Sequence, residues 1–213
     1  GCPGSTKPAS NTTPASNAPS GCASIQSITE WPQTTCTVLG GRLSAQAAAA
    51  SGADNVVMMG LGRDKERLEL SHKLGATHTV VVDEEDARER IREITNGRMA
   101  DTVIDVSGAG PEIVNGGITL LKKRGKMLCT ARKKGAVPFD FDRFNQYQIR
   151  MLGTRGHSYE SVELALGLMK SRKFPLDLIS THIFGLRDVD HALRMVGGEL
   201  KERSIHATIE PWK

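Results

Sequence analysis

Aromatic side chains are scarce in this 213-residue chain, and long apolar runs are missing. Phenylalanine, tyrosine and tryptophan make up 4% of the residues, and all hydrophobic residues together make up 38%. No stretch approaches the roughly 18 to 20 consecutive apolar residues that a membrane-spanning helix needs. The start of the chain also lacks the apolar segment of a secretory signal. The sequence therefore excludes an integral membrane protein, and no membrane partner is expected.

Cysteine is also rare, which bears on both metal binding and location. The chain has four cysteines: Cys2, Cys22 and Cys36 near its start, and Cys129. They form no C-x-x-C pair, and no histidine stands at a zinc-ligand spacing from them. The six scattered histidines are more simply surface or structural residues than ligands. Only one cysteine lies beyond residue 41, which favours a cytoplasmic location.

The excess of positive charge is small. Twenty-eight basic residues against 24 acidic ones give a formal net charge of +4, which is weak for a dedicated nucleic-acid binder. Two basic clusters occur, at residues 122–126 and 132–134, but they lack the interleaved aromatics of a stacking surface. They are interpreted as solvated faces, and no nucleic-acid partner is expected.

The beginning of the chain differs in composition from the rest. Residues 1–41 contain five of the nine prolines but only two charged residues, Lys7 and Glu30. Short near-repeats of Pro-Ala-Ser-Asn occur there without helical or strand periodicity. The sequence predicts a disordered low-complexity segment over residues 1–40 and a folded domain over residues 41–213.

The second part alternates short apolar runs with helical segments. Strands are predicted at 55–60, 77–82, 101–106, 125–131, 149–154, 179–184 and 204–210, and helices at 43–51, 65–75, 83–95, 111–123, 158–173 and 186–196. Such alternation with short connections is typical of a parallel sheet covered by helices on both faces. The predicted fold class is therefore α/β, a Rossmann-like doubly wound parallel sheet preceded by a disordered N-terminal segment.

In such a sheet a ligand binds beyond the carboxyl ends of the strands. Gly62 and Arg63 follow the strand at 55–60, where a dinucleotide-binding sheet meets the adenosine ribose. A small residue beside an arginine suits a ribose 2′-phosphate, whereas an acid suits a free 2′-hydroxyl. The alternative is that Gly62 and Arg63 only form a turn, with Asp64 as the cap of the next helix.

Five ordered segments resemble a known family. They read VVMMGLGRDKERLELSHKLGATHTVVVDEED, DTVIDVSGAG, GITLLKKRGKMLCTA, IRMLGTRGHSYESVELAL and ISTHIFGLRDVDHALRMVGGELKERSIHATIEP. Together they are similar to the coenzyme domain and C-terminal segment of zinc-type medium-chain dehydrogenases, most closely the polyol, sorbitol and threonine dehydrogenases. The resemblance covers about residues 43–213.

The resemblance implies a coenzyme site, with NADP slightly favoured over NAD. Gly62 stands where NAD-preferring members have an acid, Arg67 matches a basic residue near the adenosine ribose, and Leu152 matches a position near the nicotinamide. The implied coenzyme-binding residues are Gly41, Gly62, Arg63, Arg67, Val106, Ser107, Gly108 and Leu152.

The sequence departs from the family at the glycine-rich turn G-x-G-x-x-G. With Leu43 to Gln46 aligned on the first helix of the family, Gly41 takes the third glycine position, but Cys36 and Val38 take the first two. Their side chains would crowd the diphosphate. The strand before this turn is also missing, unless TCTVL (35–39) serves as a short substitute.

The zinc that the family uses has no ligand set in this sequence. We therefore expect an NAD(P)-binding domain of a zinc-type alcohol or polyol dehydrogenase, an oxidoreductase domain that is inactive alone. Its expected partners are a dinucleotide and either a second copy or a chain that supplies the catalytic domain. The alternative is a non-catalytic module that binds a nucleotide or a partner. A short-chain dehydrogenase is excluded, because no lysine follows Tyr147 or Tyr159 at the required spacing of four residues.

Overall fold

A parallel β-sheet forms the centre of the molecule. The computed structural model describes residues 35–202 and 204–212. Its main sheet has six strands in the order β3-β2-β1-β4-β5-β6, and every neighbouring pair is parallel. The strands are β1 (Thr35–Leu39), β2 (Asn55–Gly60), β3 (His78–Val81), β4 (Ala100–Asp105), β5 (Leu121–Cys129) and β6 (Arg150–Gly153).

Helices connect these strands and cover both faces of the sheet. They are α1 (Arg42–Ala50), α2 (Lys65–Lys73), α3 (Ala87–Ile94), α4 (Glu112–Leu120), α5 (Phe141–Gln146), α6 (Tyr159–Ser171) and α7 (Val189–Val196). A separate parallel pair, β7 (His182–Gly185) with β8 (Ala207–Glu210), lies near the end of the chain. The predicted α/β Rossmann-like fold is confirmed. No helix in the described part of the chain has the length and apolarity to cross a membrane.

Alternate residues of the central strands pack into two separate cores. Val57 and Met59 of β2 lie in one core with residues of α3 and α4. Val56 and Met58 lie in the other core with residues of α1 and α2. Because successive side chains of a strand point to opposite faces, continuous apolar runs are required where both faces are covered. This explains the run NVVMMG in the sequence.

Strand β1 lies within residues 1–40, which the sequence predicted to be disordered, so the predicted start of the folded domain is too late in the chain. Thr35–Leu39 pairs with β2 on one side and β4 on the other, and all five residues are buried. TCTVL is therefore the substitute strand that the sequence left open. Its β-branched threonines and valine suit a strand, but five residues are too few to show a period against the preceding composition. Residues 1–34 lie outside the described residues.

Helix α5 was not predicted. The sequence from residue 132 to 148 shows no clear period, yet Phe141–Gln146 is helical. Asp140 caps this helix by accepting a hydrogen bond from the backbone N–H of Arg143 at 2.9 Å. Phe139 and Phe144 stack edge to face with ring centroids 5.7 Å apart. Tertiary packing of aromatic rings thus stabilises a helix too short to form by itself.

Candidate functional site

A cleft opens at the carboxyl ends of β1, β2 and β4. The chain runs outward from β1 to β2 and β3, then crosses back to place β4 on the other side of β1. The loops after β1 and β4 therefore diverge, which is the arrangement where open α/β sheets bind ligands. The cleft has a volume of about 670 Å³, and its walls come from residues 39–41, 58–61, 63, 64, 67, 68, 82, 106–109 and 113.

Two consecutive glycines form the turn from β1 into α1. Gly40 has a φ of +98°, and a Cβ at this position would lie 3.2 Å from the Cα of Ser107. A Cβ on Gly41 would lie 2.6 Å from Cγ2 of Val106. The turn therefore packs directly against the loop after β4, and Gly41, the N-cap residue of α1, lines the cleft. Gly40 was not among the site residues predicted from the sequence. Its positive φ favours glycine, but φ is known only from the structure.

The placement of Cys36 and Val38 in the glycine-rich turn is wrong. Both residues lie inside β1, with 1% and 0% exposure, and pack in the core that faces α1 and α2. The turn begins later than the family alignment predicts, because β1 extends to Leu39. The side chains of Cys36 and Val38 therefore do not crowd the cleft.

Acidic side chains from the turn after β3 surround Gly62. The Gly62 N–H donates to Oδ1 of Asp83 at 2.7 Å. A Cβ on Gly62 would lie 3.0 Å from Oε1 of Glu84. Glu84 also binds Lys65 at 2.6 Å, and this hydrogen bond raises the pKa of Lys65. An acidic side chain at position 62 would be repelled here, which agrees with the presence of glycine. Sequence reasoning missed this contact because 21 residues separate its partners.

Arginines line the same end of the cleft. Arg63 is exposed, and its Nε lies 4.0 Å from Oδ2 of Asp64. Arg67 is more tightly held, since it donates to Oδ1 of Asp64 at 3.3 Å and to the carbonyl oxygen of Ser204 at 3.2 Å. Asp64 stands at the N-cap position of α2 but makes no side-chain cap bond. The predicted cap is therefore wrong, and the carboxylate pairs with Arg67 instead.

The loop after β4 forms the opposite wall. Asp105, the last residue of β4, is fully buried. Its Oδ1 accepts hydrogen bonds from the N–H of Ser107 at 3.0 Å and from the hydroxyl of Ser107 at 2.7 Å. Its Oδ2 lies 2.9 Å from Nζ of Lys133, which comes from the loop after β5. Asp105 was not singled out from the sequence. Lys133 was assigned to the solvated basic cluster at 132–134, and this interpretation is wrong for Lys133, whose side chain is only 8% exposed.

The structure brings six of the eight predicted site residues into the cleft wall: Gly41, Arg63, Arg67, Val106, Ser107 and Gly108. Gly62 lies between two lining residues, Leu61 and Arg63, without lining the cleft itself. Leu152 lies on β6 and packs against the core beside α1 and α2, outside this cleft. The roles of all eight in binding a coenzyme stay predictions.

No metal centre accompanies the cleft in the part of the chain that the structure describes. Within residues 35–202 and 204–212, no group of three or more His, Cys, Asp or Glu side chains is placed to hold a metal ion. The described residues therefore do not fit the catalytic zinc that a hydride-transferring alcohol dehydrogenase requires.

Comparison with known proteins identifies the family to which the chain is similar. The family model described as zinc-binding dehydrogenase matches residues 41–171, more than half of the chain. A sorbitol dehydrogenase from Halalkalibacterium halodurans is 30% identical over 157 residues, which cover 73% of this chain and 45% of the relative. A D-arabitol-phosphate dehydrogenase from Enterococcus avium is 31% identical over 149 residues, covering 68% and 42%.

Solved structures agree in fold. Benzyl alcohol dehydrogenase from Acinetobacter calcoaceticus superposes with a TM-score of 0.75 at 23% identity, covering 87% of this chain and 51% of that chain. A protein described as a short chain alcohol dehydrogenase from Escherichia coli CFT073, solved with NADH, gives a TM-score of 0.72 at 18% identity, covering 83% of this chain and 52% of that chain. The chain thus spans about half the length of the relatives it matches. With its sheet, cleft and matched sequence taken together, it belongs to the zinc-binding dehydrogenase family.

Proposed function

We propose that the cleft binds a nicotinamide dinucleotide, as the coenzyme domain of an alcohol or polyol dehydrogenase. The observation that carries this proposal is the two-glycine turn at Gly40 and Gly41, which places the N-terminus of α1 at the topological switch point. A helix N-terminus approached through glycine suits a pyrophosphate, because its free N–H groups and dipole attract negative charge. A cleft of about 670 Å³ is also within the usual range for a small-molecule site.

The proposal assigns other predicted residues to the two ends of the coenzyme, on either side of the pyrophosphate. The adenosine ribose would lie near Gly62 and Arg63, and the loop of Val106, Ser107 and Gly108 would follow the coenzyme toward its nicotinamide end. Arg63, Val106, Ser107 and Gly108 all line this cleft. A contact of Leu152 with the nicotinamide stays a prediction of the family resemblance, because Leu152 does not line this cleft.

The exposed guanidinium of Arg63 supports a slight preference for NADP over NAD, against the repulsion of a 2′-phosphate by the nearby carboxylates of Asp83 and Glu84. The carboxylate of Asp83 is engaged by the N–H of Gly62, and the carboxylate of Glu84 is engaged by Lys65. The guanidinium of Arg63 is 69% exposed, and its ion-pair contact with Asp64 is long, at 4.0 Å. An arginine in this state is suited to a bidentate contact with a 2′-phosphate.

The corresponding reaction is hydride transfer between a secondary alcohol or polyol and the coenzyme. Relatives named sorbitol and D-arabitol-phosphate dehydrogenase support this substrate class. The described residues would bind and orient the coenzyme, but they do not fit the zinc. We therefore propose that a partner chain supplies the metal and the substrate pocket.

A module that binds a partner without catalysis is the second candidate. The observation in its favour is that α6 has no buried residue. Its apolar residues Val162, Leu166 and Met169 are all exposed and lie on neighbouring turns of one helix face. An apolar stripe of this kind is typical of a surface that another protein covers.

A fluorescence titration of the full chain with NADPH and with NADH tests the coenzyme proposal. We expect saturable binding of both, with NADPH tighter. Removing the guanidinium by Arg63→Ala should weaken NADPH binding about tenfold, the size of one charged hydrogen bond, and NADH binding much less. Arg187→Ala is the matched control, since Arg187 is an exposed arginine outside the cleft.

Two results would contradict the proposal at different levels. Failure of wild-type protein to bind either dinucleotide would overturn the coenzyme function itself. An Arg63→Ala variant that loses NADPH and NADH affinity equally would leave the coenzyme site in place but would remove the 2′-phosphate role of Arg63.

A further inference from the structure

Lys133 joins two loops behind the wall of the cleft. Its side chain is only 8% exposed, although lysine is rarely buried. The ammonium group lies 2.9 Å from Oδ2 of Asp105 and donates to the carbonyl oxygens of Ser107 at 3.0 Å and Ala109 at 3.1 Å. The ammonium therefore makes two hydrogen bonds to carbonyl oxygens and one ion-pair contact with Oδ2 of Asp105, an oxygen that has no hydrogen-bond partner among the described residues. Both carbonyl oxygens belong to residues that line the cleft.

The other carboxylate oxygen of Asp105 binds the same loop after β4. This oxygen, Oδ1, accepts from both the backbone N–H and the hydroxyl of Ser107. Ser107 is thus fixed by two bonds to Asp105 and one to Lys133. Because its hydroxyl proton points to Asp105, the Oγ of Ser107 has only lone pairs left for a ligand. The Ser107 N–H is likewise committed, so it does not serve as a phosphate donor.

The placement of this ion pair favours a role in shaping the loop over a role in general stability. Burying two opposite charges costs a desolvation free energy that the pair regains only with good geometry and additional hydrogen bonds. Here the additional bonds all go to residues 107 and 109 of one loop. A ligand that binds a loop already held in its bound form loses less conformational entropy on binding.

We propose that Lys133 is a positioning residue that holds residues 107–109 in the form that accepts the coenzyme, with Ser107 presented as a hydrogen-bond acceptor. This inference rests on the proposed function, because it assigns a role within the same cleft. Lys133 itself need not touch the coenzyme, since its ammonium is turned toward Asp105 and the two carbonyl groups.

The test compares NADPH affinity with stability in three variants of the full chain. Lys133→Met removes the ion pair with Asp105 and the two hydrogen bonds to the carbonyl oxygens of Ser107 and Ala109. It should weaken NADPH binding about tenfold through loss of loop order. Ile91→Ala lowers stability by a core cavity on α3, away from the cleft, and should leave affinity unchanged. Titrations are made at a temperature where far-ultraviolet circular dichroism shows each variant to be folded.

The double variant Asp105→Asn with Lys133→Met separates charge burial from loop positioning. Asparagine removes the uncompensated carboxylate while its oxygen still accepts from Ser107, so stability should recover. The carbonyl groups of Ser107 and Ala109 remain without the ammonium, so affinity should stay weak. Wild-type affinity in either Lys133→Met or the double variant, or an equal loss in Ile91→Ala, would overturn the proposal.

Amide hydrogen exchange tests the loop without any coenzyme. In Lys133→Met, residues 106–110 should exchange at least about tenfold faster than in the wild type, whereas residues 87–94 of α3 should not change. Unchanged exchange at 106–110 would refute the positioning role. If wild-type protein bound neither dinucleotide, the proposed function would fail, and this exchange measurement would still decide what Lys133 does to the loop.

Discussion

Cys36 illustrates how the fold changes the chemistry of a single residue. Its side chain lies in β1 at 1% exposure. Burial, together with the negative charge of Asp101, raises the pKa of the Cys36 thiol to about 12. Thiols react as thiolates, so this cysteine is inert at neutral pH while the protein is folded. Its contribution is to packing in the core beside α1 and α2.

The raised pKa of Cys36 predicts a loss of stability in alkali. In the unfolded chain this thiol ionises near its ordinary pKa of about 8.5, whereas in the folded chain it stays protonated up to about pH 12. Its contribution to stability is therefore complete below about pH 8.5 and is lost as the pH rises from there toward the folded pKa. The free energy of unfolding should fall by up to about 1.4 kcal/mol per pH unit in that window.

Urea unfolding in reducing buffer at several values between pH 8 and pH 10.5 measures this slope. Cys36→Ala is the control, because it lacks the thiol and should show a shallower dependence at a lower starting stability. Equal slopes for the wild type and Cys36→Ala would show that the thiol ionises equally in both states, contrary to the expectation.

The turn between β1 and α1 decides the shape of the cleft at the scale of elements. Only two residues separate the end of β1 from the start of α1. Such a short connection requires the positive φ of Gly40 and the close approach of both glycines to the loop after β4. The same tightness brings the helix N-terminus toward the space where a pyrophosphate would lie.

A methyl group at Gly40 should therefore be costly. Gly40→Ala combines an unfavourable backbone conformation with a Cβ 3.2 Å from the Cα of Ser107, and we expect a loss of about 2 kcal/mol in unfolding free energy. Gly116→Ala is the matched control, since Gly116 is an exposed residue of α4 with open space around it. That substitution should stabilise the protein by up to about 1 kcal/mol.

Urea denaturation of the two variants side by side measures the difference. A Gly40→Ala variant as stable as Gly116→Ala would mean that the turn adapts without strain. The tight packing of this turn against residues 106–108 would then not be required for the fold.

At the scale of the whole molecule, the described residues form a six-stranded parallel sheet with a cleft but no metal centre. Both faces of the sheet are covered, and the cleft lies at its switch point. The described residues form the cleft proposed for a coenzyme, and no group of three or more His, Cys, Asp or Glu side chains among them is placed to hold a metal ion. Because a zinc-dependent dehydrogenase lowers the pKa of its alcohol through the metal, coenzyme binding and turnover should be separable in this chain.

We accordingly predict that the 213-residue chain alone does not oxidise alcohols. The measurement is reduction of NADP or NAD, followed by absorbance, with a panel of polyols and secondary alcohols in the presence of added zinc. A sorbitol dehydrogenase assayed in parallel controls for the reagents. Clear zinc-dependent turnover by this chain would overturn the prediction and would require a metal site formed outside the described residues or between chains.

The sequence by itself determined the architecture and the family. Runs such as NVVMMG and DTVIDV mark strands buried on both faces, and glycine and charged residues mark the turns and helices between them. These signals are local, because the burial of a strand or helix sets the spacing of apolar residues along consecutive positions. From the order of the elements, the end of the sheet that carries the loops follows directly. Six of the eight residues that the family resemblance implied line the cleft there.

Only the tertiary structure decided how the site is held together. The position of the glycine turn depends on where β1 pairs with β2 and β4. The contact of Gly62 with Asp83 joins residues 21 apart, and the bond of Lys133 to the Ser107 carbonyl joins residues 26 apart. Such contacts have no period in the sequence. They arise because parallel pairing brings the carboxyl ends of separate strands to one edge, where burial then makes each charge require a partner.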